Sequence, residues 1–408
     1  MNSSTDAASD RLVRFADLVV RVGVNVQPGQ GVVISADIAQ LEIARAVVEQ
    51  AYVAGAGWVE VAWSDGPIRR SELTHATIET LTEDRPWALQ RTNEWIEQGI
   101  ATIALVGTPD SGIFAGIDPA KLTAVRRGEM TARQQAAMGG KWRWTVVAAP
   151  NAGWATQVYG EPDVERLWTA VGKAMRLDEA DPVAQWRERA ATLAARAKAL
   201  DALQISELTY SGEGTDLTVG LIPNCRWTGG SGTDPAGITY MPNIPTEEVF
   251  TSPDRRRADG VLRVTKPVVI AGQLVEGLRL TLEGGRITDV SADAGAEVAR
   301  AQLDSDEGAR SLGEVALVDR DSRIAQANTV FHNTLFDENA GCHIAWGQSF
   351  PFAVEGGLEL SPDERYAMGL NSANVHTDVV AGGDGLTVTA TTPTGKVPLL
   401  ENDEWVLP

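Results

Sequence analysis

Residues 28–64, PGQGVVISADIAQLEIARAVVEQAYVAGAGWVEVAWS, contain the pattern that decides the fold of the first half of the chain. A Pro-Gly turn leads into a short apolar run, a segment with apolar residues at helical spacing follows, and the run WVEVAWS ends the stretch. Short β-branched runs bounded by turn residues are typical of strands, and apolar residues three or four positions apart indicate a helix. The stretch therefore predicts a strand, a helix and a second strand.

The same alternation continues along the chain. WALQRTNEWIEQG (87–99) has the pattern of a helix, and IATIALVGT (100–108) and WRWTVVAAP (142–150) have the pattern of strands. Strands that alternate with helices form parallel sheets, because each helix carries the chain back across the sheet. We therefore predict an α/β N-terminal domain with a mainly parallel sheet over residues 1–200.

Strand patterns predominate in the rest of the chain. QISELTYSG (204–212) and QLVEGLRLTLEGGRITDVSA (273–292) are rich in β-branched residues and are bounded by Gly or Asp turns, whereas AEVARAQLDSDEGARS (296–311) is helical in pattern. This texture predicts a mixed α+β C-terminal domain over residues 201–408. A length of 408 residues agrees with two domains, because single cores rarely exceed about 250–300 residues.

Charge and composition exclude several classes of partner. The chain carries 55 Asp and Glu against 35 Lys and Arg, a formal net charge of −20, and such a surface repels nucleic acid and anionic lipid. The basic run of Arg255, Arg256 and Arg257 is predicted to be a solvated turn. No apolar run approaches the roughly 18 residues of a membrane span, and the two cysteines form no disulfide framework. We therefore expect a cytoplasmic protein without nucleic acid or membrane partners.

Histidines are scarce and clustered, since the chain has only four and His332, His343 and His376 lie close together in sequence. Histidine is the commonest metal ligand and the usual acid or base near neutral pH, so the cluster indicates a site. His376 and Asp378 are two residues apart, and in a strand they would project from the same face. That pair is consistent with a ligand pair, and equally with a structural pair in which Asp378 orients His376.

Carboxylates near these histidines extend the candidate site. The turn NAG joins Glu338 to Cys342 and His343, and Glu314 precedes a buried-strand pattern in which an unpaired charge would be costly. Glu247 and Glu248 are neighbours, so in an extended segment only one of them can face a given site.

Two histidines and four carboxylates can hold two divalent ions, which together lower the pKa of a shared water and generate hydroxide near neutral pH. Zinc, cobalt or manganese suits nitrogen and oxygen ligands, and magnesium accepts fewer imidazoles. A catalytic thiol is the weaker hypothesis, because no base is evidently positioned beside Cys342.

Four sequence blocks resemble those of the thermophilic-type metallo-aminopeptidases, peptidase family M29. They are MPNIPTEEVFTSP (241–253), DEGARSLGEVALV (306–318), HNTLFDENAGCHIAWG (332–347) and GLNSANVHTDVV (369–380). The resemblance implies a homodimeric exopeptidase that acts on short peptides through a two-metal centre in its C-terminal catalytic domain. The metal ligands it implies are Glu248, Glu314, Glu338, His343, His376 and Asp378, with Glu314 as the bridge. It leaves the proton carrier unassigned, with Glu247 and Glu338 as the nearest candidates.

One position departs from the family pattern. A tyrosine is expected seven residues after His343, and this chain has Phe350, with Ser349 and His332 as other possible donors. His343, His376 and Asp378 also form the 2-His-1-carboxylate set of non-haem iron oxygenases, so a mononuclear Fe(II) ring-cleaving dioxygenase on the same fold is the alternative function. A non-catalytic, peptide-binding relative is a third possibility. The additional carboxylates favour the aminopeptidase, because one iron would not need them.

Overall fold

The computed structural model describes residues 2–107, 112–122, 124 and 127–407. The chain divides into two compact units, one of Met1–Arg187 and Ser231–Ile244 and the other of Glu188–Gly230 and Pro245–Pro408. In the part of the chain that is described, no helix has the length and apolar character needed to cross a bilayer.

The described helices and strands are as follows in chain order. The helices are α1 (Asn2–Leu18), α2 (Leu41–Val53), α3 (Gly66–His75), α4 (Ile78–Thr82), α5 (Pro86–Glu97), α6 (Pro119–Leu122), α7 (Arg127–Met138), α8 (Ala152–Tyr159), α9 (Val164–Ala174), α10 (Pro182–Ala202), α11 (Ala296–Leu303), α12 (Arg323–Ala327), α13 (Thr334–Asp337) and α14 (Pro362–Met368). The strands are β1 (Gly31–Asp37), β2 (Trp58–Ser64), β3 (Ala101–Val106), β4 (Trp144–Ala148), β5 (Glu207–Gly212), β6 (Thr215–Leu221), β7 (Gly232–Thr233), β8 (Thr239–Tyr240), β9 (Asn243–Ile244), β10 (Val249–Thr251), β11 (Pro253–Arg263), β12 (Val268–Ile270), β13 (Gln273–Val275), β14 (Arg279–Glu283), β15 (Arg286–Ser291), β16 (Leu312–Leu317), β17 (His343–Gly347), β18 (His376–Val380), β19 (Thr387–Thr392), β20 (Gly395–Glu401) and β21 (Glu404–Trp405).

The first unit is built on a parallel sheet with the strand order β2-β1-β3-β4-β9. Residues 28–64 form β1, α2 and β2, as their pattern predicts, and β1 pairs in parallel with both β2 and β3. The central strand β1 buries its first four residues, whereas the edge strand β2 is partly exposed along its length. The predicted α/β domain with a mainly parallel sheet is confirmed.

The second unit contains two larger antiparallel sheets. One has the order β15-β14-β11-β6-β5-β19-β20-β21, and the other has the order β10-β16-β17-β18. Apolar side chains from both sheets, such as Leu217, Val219, Val315 and Trp346, belong to one buried hydrophobic cluster. With α11 to α14 added, this unit is the predicted mixed α+β class.

Two local predictions were wrong. The helix α11 ends at Leu303 instead of continuing to residue 311, because Asp306 Oδ1 accepts hydrogen bonds from the backbone N–H groups of Gly308 and Ala309 and turns the chain. The Arg255–Arg257 run lies in β11 instead of a turn. There Arg256 pairs with Asp254 at 2.7 Å, which is possible because residues two apart in a strand share a face.

One face of β17 packs in the hydrophobic core, and Trp346 on that face allows the contribution of the core to stability to be tested. Trp346 is fully buried on the core face, and its indole N–H donates to Gln302 Oε1 at 3.0 Å. We expect Trp346→Ala to lower the free energy of unfolding by about 3–5 kcal/mol, because it leaves a large cavity. Urea unfolding followed by far-ultraviolet circular dichroism measures this change. In the control, Trp87→Ala, the side chain is 60% exposed and the loss should be much smaller; similar losses in the two variants would contradict the prediction.

Candidate metal centre

One face of the four-stranded sheet carries most of the predicted ligands. In the antiparallel register Glu314 of β16 lies opposite Ala345 of β17, and Ala345 lies opposite Asp378 of β18. Directly opposed residues share a face, and so do residues two apart in one strand, which adds His343 and His376. The small Ala345 side chain between Glu314 and Asp378 leaves room above the sheet.

Glu248 reaches the same face from the edge strand. It lies two residues before Phe250, which is opposite Ala316 of β16, and Ala316 is in turn opposite His343. Glu248 is therefore on the histidine side of the segment, whereas its neighbour Glu247 is directed away from it. The structure thus decides which of the two glutamates faces the site.

The first group of candidate ligands consists of Glu248, Glu314 and His343. Their ligand atoms lie within 4.8 Å of one another, and all three residues are buried. His343 Nε2 is 2.9 Å from Glu248 Oε2 and 4.0 Å from Glu314 Oε1. Burial of two carboxylates and an imidazole at this spacing is costly unless a cation or a proton lies between them.

The second group consists of Glu314, His376 and Asp378, whose ligand atoms also lie within 4.8 Å of one another. His376 Nε2 is 3.0 Å from Glu314 Oε2 and 3.5 Å from Asp378 Oδ1. Glu314 is therefore common to both groups, with Oε1 towards one histidine and Oε2 towards the other. Glu314 therefore presents one carboxylate oxygen to each of the two groups.

Backbone carbonyls orient both histidines. His376 Nδ1 is 2.8 Å from Gln348 O, and His343 Nδ1 is 3.4 Å from Gly341 O. A carbonyl only accepts, so Nδ1 of each ring carries a hydrogen, and in the neutral ring Nε2 carries the lone pair that can bind a metal. Metal-bound histidines in proteins characteristically donate their other N–H in this way.

The donor set fits a divalent cation. Glu248 Oε2 is buried and has no hydrogen-bond partner among the described residues, although it lies close to the Nε2 atom of His343. Imidazole nitrogens and carboxylate oxygens are the ligands that zinc, cobalt and manganese accept. The residues present can therefore hold a metal.

The pKa values reflect the same crowding of charge. Burial raises the pKa of Glu314 to about 7, even though the hydrogen bond from His376 opposes the shift. Burial alone would lower the pKa of His343, but the carboxylates of Glu248, Asp378 and Glu314 raise it to about 10. The cluster thus attracts positive charge strongly, whether a proton or a metal ion supplies it.

Glu338 lies beside these groups without belonging to either of them. It begins the short 3-10 turn Glu338–Ala340 after α13. Burial, together with the negative charges of Asp378 and Glu248, raises its pKa well above the usual range. This shift indicates that the Glu338 carboxyl group is close enough to interact with the predicted ligands.

Glu247 has a different environment. It is fully buried, its Oε2 atom is 2.5 Å from Arg189 Nε, and Arg189 also donates to the Glu247 carbonyl oxygen. The backbone N–H of Glu247 donates to Asn339 Oδ1 at 2.6 Å. Arg189 and Asn339 thus hold the segment that carries Glu248. Arg189 lies outside the blocks that resemble the family and Asn339 lies within one of them, but the role of neither could be predicted from its place in the sequence.

The structure also shows the surroundings of three other residues that the sequence singled out, Cys342, Phe350 and Ser349. Cys342 is buried, its Sγ atom is 3.4 Å from both the N and the O atoms of Val318, and burial raises its pKa to about 12, which is unsuited to a nucleophile. The ring of Phe350 is 5.1 Å from the ring of His376 and stacks on Phe352 at 5.3 Å. Ser349 is fully buried, and its Oγ atom accepts the backbone N–H of Asn371.

The chain matches the thermophilic metalloprotease (M29) family over residues 8–405. It belongs to this family. Aminopeptidase PepS of Streptococcus thermophilus is 38% identical and is covered over 98% of each sequence. Aminopeptidase T of Thermus aquaticus is also 38% identical, over 98% of this chain and 100% of that protein. The solved structure of wild-type AmpT from Thermus thermophilus superposes with a TM-score of 0.89 at 35% identity, covering 98% of this chain and 99% of that one.

These matches confirm the predicted family and the predicted enzyme class, a metallo-aminopeptidase and therefore a hydrolase. They also agree with the fold, because the AmpT structure from Thermus thermophilus covers both units of the chain. Membership of a metalloprotease family implies a divalent metal, and the face that carries Glu314 presents side chains that can bind one.

The contrast between Glu248 and Glu247 gives a matched test of the metal centre. We expect Glu248→Gln to weaken Zn²⁺ binding by the metal-stripped protein, because an amide is a poorer ligand than a carboxylate. The loss should be at least about 10–100-fold, which is the loss of affinity caused by mutating residues that only support metal ligands. Isothermal titration calorimetry measures the affinity. Glu247→Gln should keep most of the affinity and instead lower the unfolding temperature, because Arg189 loses its buried partner. Equal losses of affinity in the two variants would contradict this assignment.

Proposed function

We propose that this M29 protein is an aminopeptidase that removes N-terminal residues from short peptides with two divalent ions bound per chain. The ions would be zinc, cobalt, manganese or magnesium. The observation that carries the proposal is the position of Glu314 in both ligand groups, one oxygen towards each histidine. The proposed ligands are Glu248, Glu314, Glu338, His343, His376 and Asp378.

The chemistry divides between the ions and the chain. When bound, such ions polarise a peptide carbonyl and lower the pKa of a water, which suits them to hydrolysis. The chain keeps His343 and His376 in the tautomer that leaves Nε2 free, through the carbonyls of Gly341 and Gln348.

Proton transfer is better suited to Glu338 than to Glu247. Glu247 is fully buried and its carboxylate is engaged by Arg189, so a proton on it would break a buried ion pair. Glu338 is only half-buried, and burial raises its pKa well above the usual range, which favours its protonated form. Glu338 is therefore proposed as the carrier of a proton to the leaving amine, in addition to its contribution to the ligand face.

No observation favours the iron dioxygenase. Among the described residues His343, His376 and Asp378 do not form a single group of converging ligand atoms, because Glu314 lies between the two histidines. Glu248 and Glu314 would also be superfluous around one iron. The homodimer and the cytoplasmic location stay predictions from the sequence.

Metal content and peptide hydrolysis together test the proposed function. We expect elemental analysis of the reloaded protein to give two divalent ions per chain. We also expect the protein to release the N-terminal amino acid from a panel of dipeptides and tripeptides, and chromatography measures the released amino acid. N-acetylated forms of the same peptides are the control and should not be cleaved, because they lack the free amino group. A single iron per chain without hydrolysis would rule the proposal out.

Phe350 gives a second prediction about the same reaction. Phe350, beside His376, occupies the position where a tyrosine is expected. The chain therefore lacks a hydroxyl group that could donate a hydrogen bond to the oxyanion of the transition state. We expect Phe350→Tyr to raise kcat by tenfold or more, up to the roughly 10²–10³ that one such donor contributes, with little change in KM. Steady-state kinetics on one dipeptide measure this. Phe352→Tyr is the matched control and should leave kcat unchanged; a kcat for Phe350→Tyr no higher than that of the parent protein would refute the donor role.

A further inference from the structure

A small polar cleft opens beside the candidate metal centre. Glu338 and Asp378 form one part of its wall, and Lys266, His332 and Asp337 form another. Its volume is about 20 Å³, enough for one or two waters. A group the size of a carboxylate therefore fits the cleft, whereas a bulky side chain does not.

Lys266 is held next to the strand that carries two candidate ligands. The backbone N–H of Thr265 donates to Val380 O at 2.8 Å, and its hydroxyl donates to Gly382 O at 2.6 Å. Pro267 follows, which restricts the backbone of Lys266 to extended conformations. These contacts fix the position of Lys266 relative to the end of β18, two residues beyond Asp378.

The ammonium group of Lys266 is available to a ligand. Lys266 is half-buried and forms no ion pair with any carboxylate of the described residues. The charge of Lys266 favours the ionised form of the nearby Asp337, whose oxygens also accept the backbone N–H groups of Phe331 at 2.7 Å and Asn333 at 2.9 Å. A cation at the wall of a cleft, with no carboxylate of the described residues within ion-pair distance, can bind an anionic ligand.

The same turn around Asp337 forces His332 into an uncommon conformation. His332 has a φ of 52°, in the left-handed region that non-glycine residues rarely adopt. Such strain persists only where the surroundings impose it, and it concentrates at functional sites. Burial lowers the pKa of His332, so near neutral pH its uncharged ring can donate one hydrogen bond.

The cleft and the metal centre together can receive the two ends of a short peptide. The amino-terminal residue belongs at the proposed metal centre, which includes Glu338 and Asp378, and Lys266 suits an anionic group in the adjoining cleft. In a protein with a net charge of −20, an anionic ligand needs such a local cation. A dipeptide or tripeptide with free ends carries both charges at close spacing.

We propose that Lys266, with His332 as a second donor, binds the free C-terminal carboxylate of a short peptide whose amino-terminal residue lies at the metal centre. This inference rests on the proposed aminopeptidase function and adds the chemical group that selects short substrates. A longer peptide places its carboxylate beyond the cleft and loses this contact, and a peptide amide lacks the charge.

The test compares leucylglycine with leucylglycinamide. We expect the parent protein to have a kcat/KM about tenfold or more higher for the acid, because one charge-assisted contact is lost with the amide. Lys266→Met should reduce this ratio to near one by lowering activity on the acid alone, and Lys266→Arg should retain part of it. Lys396→Met, which removes an exposed lysine, is the control and should keep the parent ratio.

A binding measurement separates this inference from the proposed function. In the unreactive analogue of leucylglycine a methylene group replaces the scissile carbonyl, and calorimetry gives its affinity as the acid and as the amide for each variant. We expect the parent protein to bind the acid about tenfold more tightly, and Lys266→Met to bind the two equally. Equal hydrolysis and equal binding of acid and amide by the parent protein would overturn the role of Lys266 while leaving the aminopeptidase intact. Absence of hydrolysis with a preserved preference for the acid would instead count against the proposed reaction and support the carboxylate site.

Discussion

The antiparallel register of β16, β17 and β18 is the constraint on which the site depends. In this register Glu314, Ala345 and Asp378 lie side by side, and Val315, Ile344 and Val379 face the hydrophobic core. A shift of one residue would turn every side chain to the other face, with carboxylates in the core and aliphatic groups at the metal centre. Because both errors are costly, the core and the site specify the same register.

Charge within the site is balanced at close range. The Nε2 atom of each histidine is turned towards carboxylate oxygens by a backbone carbonyl behind the ring, so the orientation that suits a metal is built into the sheet. The same arrangement raises the pKa of His343 to about 10, because three carboxylates favour its protonated form. Protons and metal ions therefore compete for one cluster, and bound metal adds directly to the stability of this unit.

Residues that are not themselves proposed ligands hold this cluster in place. Arg189 and Asn339 fix the segment of Glu247 from two sides, and this leaves Glu248 turned towards His343. Thr265, which precedes Lys266, donates hydrogen bonds to the carbonyl groups of Val380 and Gly382 at the end of β18. In both cases a buried polar contact determines the direction of a charged side chain, because an unpaired polar group in such a place would be unfavourable.

Much of the fold and of the candidate site could be predicted from the sequence, because the signals are local. The alternation in residues 28–64 predicts β1, α2 and β2, and the spacing of His376 and Asp378 places both on one face of a strand. The resemblance to the M29 family indicates Glu248, Glu314, Glu338 and Asp378 as the carboxylate ligands. The local pattern gave a wrong prediction at Arg255–Arg257, because three consecutive charged residues do not have the usual pattern of a strand such as β11. It also gave a wrong end for α11, because the hydrogen bonds of Asp306 turn the chain there.

The sequence by itself thus determined the residue types, their strand positions and the kind of chemistry they can support. The tertiary structure is needed to place Glu248 rather than Glu247 towards His343, Glu314 between both histidines, and Lys266 in the same cleft as Asp378. The reason is physical: these relations join residues that are far apart in sequence, such as His376 and Glu314, which are 62 positions apart. Such contacts depend on strand pairing and buried polar partners, and neither leaves a periodic signal in the chain.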